Sequence, residues 1–241
     1  MKLEIAREKV IFALDVSTMA EIEKWATALS GKVGMFKIGK QLFTSCGPAA
    51  VKAILDRGGE VFLDLKYHDI PNTVAMATVE AARLGAKLSN LHALGGYEMM
   101  ARTMEGLDRE FKGACRTKVL AVTILTSSNE ETLRGIGIDH SVQDMVVRLA
   151  KLAKSAGVHG VVASPQEVAL IREACGSDFL IVTPGVRPTF ASADDQKRIM
   201  TPAEAVSQGA DYLVIGRPIA AAEDPLKAAD LIAEEIATVL P

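Results

Sequence analysis

Short apolar runs rich in β-branched residues recur along the chain, separated by longer segments in which Ala, Glu and Lys mix with Leu and Ile. The runs near Val10–Val16, Met35–Ile38, Val61–Lys66, Leu88–Leu94, Val119–Leu125, Gly160–Ala163, Leu180–Pro184 and Tyr212–Ile215 have strand length and β-compatible composition. The segments between them open with helix-start signals. Thr18-x-x-Glu21 and Ser128-x-x-Glu131 are capping-box patterns, in which a hydroxyl and a carboxylate satisfy each other's free backbone N–H groups. Ser164-Pro165-x-Glu167 and Thr201-Pro202-x-Glu204 add proline at the first helical position, and Asp224-Pro225 opens the last helix similarly.

Strand alternating with helix eight times over 241 residues predicts an α/β fold, a TIM-type (β/α)₈ barrel, as a single domain over residues 1–241. A doubly wound open sheet is the competing architecture. It calls for a glycine-rich turn after the first strand, and Asp15-Val16-Ser17-Thr18 is not one. The connection from residue 186 to about residue 200 is long and polar, as lids and binding loops are.

Composition agrees: 49% hydrophobic residues with only 5% aromatics suits the aliphatic packing of a parallel sheet. A net charge of -3 gives no reason to expect nucleic acid or an anionic membrane as partner. Cys46, Cys115 and Cys175 are scattered without metal-ligand spacing, which fits a reducing cytoplasm. Glu4, Arg7, Glu8 and Lys9 do not form a signal peptide, and no apolar run approaches the roughly 20 residues that span a bilayer.

The most informative stretch runs from Phe62 to Thr73. Asp64 and Lys66 are two apart in a strand, so both face the same way. Burying two ionisable groups there is costly unless they pair with each other or with a ligand. Asp69 follows where Ile70-Pro71-Asn72 closes the strand and a helix can begin near Thr73. An isolated Asp-x-Lys can equally be a structural ion pair. Here Asp15 ends the first strand and Lys37 interrupts the second, which predicts an alternating set, Asp15, Lys37, Asp64, Lys66, at the C-terminal mouth. Nearby carboxylates favour the charged lysines, so Lys66 suits holding or donating a proton better than forming a Schiff base.

Late in the chain, Thr183-Pro184-Gly185-Val186-Arg187 and Val214-Ile215-Gly216-Arg217-Pro218 end strands seven and eight, whose loops form the usual phosphate site of this fold. Gly216 lets backbone approach an anion, Arg217 can clamp it, and Gln196 can add a neutral donor. A turn carrying a surface arginine is the plainer reading of Gly216-Arg217. Thr126 and Ser127 end strand five with hydroxyls able to read a heterocycle edge. His92 reads as a hydrogen-bonded buried histidine and His68 as structural; no metal is proposed.

These motifs resemble the orotidine 5'-phosphate decarboxylase family, bacterial type, over essentially the whole chain. The likeness lies in Phe-Ala-Leu-Asp15, Phe-Lys37-Ile-Gly, Asp64-Leu-Lys66-Tyr-His-Asp69-Ile-Pro-Asn-Thr73, Val-Thr-Ile-Leu-Thr126-Ser, Thr-Pro-Gly-Val-Arg187-Pro, Asp195-Gln196-Lys-Arg and Ile-Gly216-Arg217-Pro. The resemblance implies cofactor-free and metal-free decarboxylation of orotidine 5'-phosphate to UMP by a homodimer. It makes Lys66, Asp64, Asp69 and Lys37 the catalytic residues, with Asp69 and Thr73 reaching into the neighbouring subunit's site. It assigns Asp15 and Lys37 to the ribose, Thr126 and Ser127 to the pyrimidine, and Arg187, Gln196, Gly216 and Arg217 to the phosphate. Mg²⁺-dependent sugar-phosphate enzymes share Asp-x-Lys-x-x-Asp, but the cation Lys37 would repel a metal at the strand-two position. A non-catalytic nucleotide-binding barrel is the other alternative.

Overall fold

The structure, a computed structural model, describes residues 1–190 and 200–241. Its parallel strands close on themselves in chain order: β1 (Val10–Leu14), β2 (Met35–Gly39), β3 (Val61–Tyr67), β4 (Leu88–His92), β5 (Lys118–Val122), β6 (Gly160–Val162), β7 (Leu180–Pro184) and β8 (Tyr212–Ile215). β1 pairs with both β2 and β8, so the expected (β/α)₈ barrel is the observed one.

Alternation along each strand builds two cores. Ile11, Ala13, Met35, Phe62, Leu88, Leu120, Val182 and Val214 fill the barrel. Their neighbours Val10, Phe12, Leu14, Phe36, Ile38, Val61 and Leu63 pack outward beneath the helices. Phe12, for example, sits 5.1 Å from the Trp25 ring. Fully burying a side chain such as Phe62 contributes about 1.5–3 kcal/mol. The inward parity continues past the apolar layers. Ile11 and Ala13 lead to Asp15, Met35 to Lys37, Phe62 to Asp64, Leu88 to Asn90 and Val214 to Gly216. The period that fills the barrel therefore also delivers polar groups to its C-terminal mouth.

Four strands are shorter than their apolar runs. Those runs extend to Val16, Leu94, Leu125 and Ala163, whereas the ladders stop at Leu14, His92, Val122 and Val162. Leu94 and Leu125 are apolar but exposed at the mouth, where no neighbouring strand continues the pairing. Thr18, Ser164 and Thr201 form their capping boxes, and Asp224 accepts from the Leu226 and Lys227 N–H groups. Ser128 does not. Its own N–H closes a turn on the Leu125 carbonyl, and Asn129 caps the helix Glu130–Gly135 with Thr132 instead. The helix after β3 runs Pro71–Arg83, starting at the proline rather than at Thr73.

The Arg187 N–H donates to the Met200 carbonyl at 3.0 Å, which joins the described ends of the long polar connection. Residues 191–199, and with them Gln196, lie outside the described residues. Among those described, no helix is long and apolar enough to cross a membrane.

Candidate active site

The ends of β1, β2 and β3 bring four charges together. Lys37 Nζ lies 3.4 Å from Asp15 Oδ1 and 3.6 Å from Asp64 Oδ2. Lys66 Nζ lies 2.5 Å from Asp64 Oδ1. The order acid, base, acid, base expected from the sequence is therefore the spatial order. Burial is graded across it: the Asp64 side chain is 10% exposed and Lys37 12%, while Lys66 is 26% exposed and Asp15 69%. The inner groups depend on one another for neutralisation, and the outer ones face the solvent a ligand would displace.

Lys66 reaches this position through an irregular backbone. Its φ of 52° is left-handed, an uncommon state for a residue with a Cβ. β3 and β4 are in register at Leu63↔Ser89 and again at Tyr67↔Leu91, so Asp64, Leu65 and Lys66 together oppose the single residue Asn90. This is a bulge, and bulges re-aim side chains beside active sites. Asn90 fills it: its Oδ1 accepts the Lys66 backbone N–H at 2.8 Å, and its Nδ2 donates to Asp64 Oδ1 at 2.7 Å. Sequence reasoning passed over Asn90. The available signal was a primary amide inside the apolar strand Leu88-Ser89-Asn90-Leu91, where it must find partners.

A cavity of about 190 Å³ opens beside the lysines, lined by Lys37, Phe62, Asp64, Lys66, Thr126, Pro184 and Val214, among others. A smaller pocket, also touching Thr126, continues toward Gly185 and Met200. Thr126 and Ser127 are exposed just beyond β5. Across the mouth, a Cβ added at Gly216 would come within 3.1 Å of Ala13 Cβ and 3.7 Å of Asp15 Oδ2, so glycine keeps this rim open. Arg217 is exposed at the start of the short helix Arg217–Ala220, and Arg187 is half-buried after the adjacent strand β7.

Asp69 and Thr73 stand apart. Asp69 is exposed and accepts its neighbour Ile70's N–H at 2.7 Å, and Thr73 is exposed in the first turn of Pro71–Arg83. Within this chain neither forms an ion pair or side-chain hydrogen bond with the lysine cluster among the described residues. Exposed apolar side chains occur on the same segment, Ile70 (67% exposed) and Met76, and after β4, Leu94 and Tyr97, where the following helix Gly96–Phe111 packs on Pro71–Arg83. His92 is half-buried and tilted against His68, ring centroids 5.6 Å apart. It makes no side-chain hydrogen bond among the described residues, contrary to the expectation. Burial, then the charges of His68, Lys40 and Lys66, hold His92 down to about 4, so the ring is neutral at physiological pH.

The family model for "Orotidine 5'-phosphate decarboxylase / HUMPS family" matches residues 8–232. A protein of Geobacter metallireducens named orotidine 5'-phosphate decarboxylase is 72% identical over 236 residues, covering 98% of this chain and 99% of its own. One of the same name from Pelobacter propionicus is 66% identical over 241 residues, covering 100% of both. Among solved structures, orotidine 5'-phosphate decarboxylase from Lactobacillus acidophilus superposes with a TM-score of 0.83 at 37% identity, covering 94% of this chain and 98% of its own. The chain belongs to the orotidine 5'-phosphate decarboxylase / HUMPS family.

Proposed function

We propose that the protein decarboxylates orotidine 5'-phosphate to UMP and CO₂ without a metal or cofactor, in the cytoplasm, as a homodimer. The observation that carries this reading is the alternating Asp15–Lys37–Asp64–Lys66 set beside an apolar-walled cavity. The similarity to proteins named for this reaction supports it. So does Lys37, whose ammonium occupies the gap between Asp15 and Asp64 where two carboxylates would otherwise suit a divalent cation.

The chemistry follows from charge. Breaking the bond between C6 and its carboxylate leaves the electron pair on C6 in the plane of the pyrimidine ring, where the π system cannot delocalise it. The Lys66 ammonium stabilises that pair and then gives C6 a proton. Asp64, adjacent to Lys66, faces the departing carboxylate, so repulsion is relieved as CO₂ leaves. Enzymes supply about 8–23 kcal/mol against an uncatalysed barrier, while one charge pair at 4 Å contributes about 4 kcal/mol at an effective dielectric of about 20. Lys66 alone is insufficient. Binding energy from the phosphate at Arg187, Gln196, Gly216 and Arg217, remote from C6, must help hold the charges in position. Asp15 and Lys37 take the ribose, and Thr126 and Ser127 the pyrimidine edge.

The exposed Asp69 and Thr73, together with the exposed apolar Ile70 and Met76 on the same segment and Leu94 and Tyr97 after β4, support a dimer in which both serve the partner's site. The deciding experiment follows the absorbance of orotidine 5'-phosphate with metal-stripped protein. Sustained loss of substrate absorbance with UMP formation is expected, and activity abolished by EDTA and restored by Mg²⁺ would refute the metal-free reading.

A further inference from the structure

We propose that Asn90 is a positioning residue for this reaction: its carboxamide locks the Lys66 backbone and the Asp64 carboxylate into one arrangement, so that the Lys66 ammonium faces the cavity. The inference rests on the decarboxylase reading and adds a residue to it. Asn90 is 1% exposed on the inward face of β4. Its amide bridges two groups that cannot exchange roles, since a backbone N–H only donates and an ionised carboxylate only accepts. The orientation with Oδ1 on Lys66 N and Nδ2 on Asp64 Oδ1 is therefore the one that satisfies both.

The bulge makes this bridge necessary. Three β3 residues oppose Asn90 alone, so the Lys66 N–H loses its ladder partner on β4 and the Asn90 side chain replaces it. The left-handed φ of Lys66 is unfavourable and persists only where surrounding groups hold it. Asp64 Oδ1, meanwhile, accepts from Lys66 Nζ and Asn90 Nδ2 together. Removing the amide frees the backbone that aims the lysine and the carboxylate that orients it. Asn90 is buried and is not among the residues lining the cavity, so its loss is expected to act through Lys66.

The test uses purified wild type, Asn90→Ala and Asn90→Asp, assayed for kcat and KM with orotidine 5'-phosphate and for UMP binding from about pH 8 to about pH 5. Asn90→Ala is expected to lower kcat about tenfold to a hundredfold, the scale of misaligned catalytic groups, with UMP affinity nearly unchanged. Asn90→Asp has a sharper signature. Ionised, the new carboxylate repels Asp64; protonated, it donates to Asp64 and accepts the Lys66 N–H as the amide did. Its kcat relative to wild type should therefore rise as pH falls. Lys37 and Lys66 face the same carboxylate, and His92 and His68 lie beyond it. Wild type carries all four, so each variant is read against wild type at the same pH.

A kcat for Asn90→Ala within about twofold of wild type, or an Asn90→Asp ratio flat with pH, overturns the proposal. If Asn90→Ala does not fold, the near-isosteric Asn90→Asp profile decides alone. Wild type that leaves orotidine 5'-phosphate intact refutes the decarboxylase reading and this one with it. Active wild type with unaffected variants removes only Asn90.

Discussion

Lys66 Nζ lies 2.5 Å from the carboxylate oxygen of Asp64, two residues earlier on the same strand. Stability does not explain the pair. Desolvating two charges offsets most of their attraction, and a well-packed apolar pair of similar volume is often as stable or more so. The left-handed Lys66 backbone adds a cost of about 1–3 kcal/mol. A fold that accepts both penalties at its C-terminal mouth is holding a charge for use on something else.

If that use is protonation of C6, Lys66→Ala should abolish UMP formation, with kcat/KM falling by at least about 10⁴-fold. Nucleotide binding should stay measurable, because the residues proposed for the ribose and phosphate are untouched. Single-turnover assays beside UMP titration separate the two effects, and substantial residual turnover would remove Lys66 from the role.

Asp64 should carry more of the stability than Lys66, since it faces both lysines and Asn90. Asp64→Ala leaves two ammonium groups, Lys37 and Lys66, without the buried carboxylate between them. Breaking a buried pair by deleting one partner costs about 3–5 kcal/mol. For a chain of this size that lowers Tm by about 10 °C. Lys66→Ala should lower it less, since Asp64 keeps Lys37 and Asn90. Thermal unfolding of both variants at neutral pH checks the order.

Arg217→Ala should lower kcat as well as raise KM, although the side chain lies after β8 rather than among the lysines. Binding energy far from the reacting carbon accelerates the reaction only where it holds the substrate against the charge cluster. A variant changed in KM alone would show that the phosphate end contributes uniform binding.

The barrel was legible because parallel strands buried on both faces leave continuous apolar runs, and because hydroxyl-x-x-Glu and Pro marks begin the helices between them. Asp15, Lys37, Asp64 and Lys66 were legible for the opposite reason, as charges placed where an apolar side chain belongs. Strand ends were overrun at Leu94 and Leu125 because composition does not reveal where a neighbouring strand stops. Asn90 was passed over because a neutral amide breaks an apolar run without announcing a charge. The left-handed turn at Lys66 was hidden because nothing local demands it; it arises from a register mismatch with β4.

The proposed exchange of Asp69 between subunits can be tested without a structure of the dimer. Lys66→Ala and Asp69→Ala proteins should each be inactive alone. Unfolded together and refolded as mixed dimers, half the population holds one site with Lys66 from one chain and Asp69 from the other. Activity should then recover to about one quarter of wild type. If Asp69 serves its own chain, every site in the mixture lacks one residue and nothing recovers.

Far from the mouth, His159 gives the fold a pH dependence of known sign. Its Nδ1 accepts the Val119 N–H at 3.1 Å, so the native ring must be neutral at that nitrogen. Burial, then the Lys118 charge, hold it down to about 4, against an ordinary 6.5. The unfolded chain takes up this proton more readily than the folded one. The contribution is thus complete above about pH 6.5 and is lost as pH falls toward about 4, with an upper size of about 3 kcal/mol. His159→Gln keeps an acceptor for Val119 but cannot titrate. Wild type should exceed the variant most at neutral pH, and the gap in Tm should narrow between about pH 6.5 and about pH 4. Glu167, which burial pushes up to about 7, gives a slope of the opposite sign over part of this range. Both proteins carry it, so the difference between them isolates His159; a gap constant with pH would assign the bond no role in acid sensitivity.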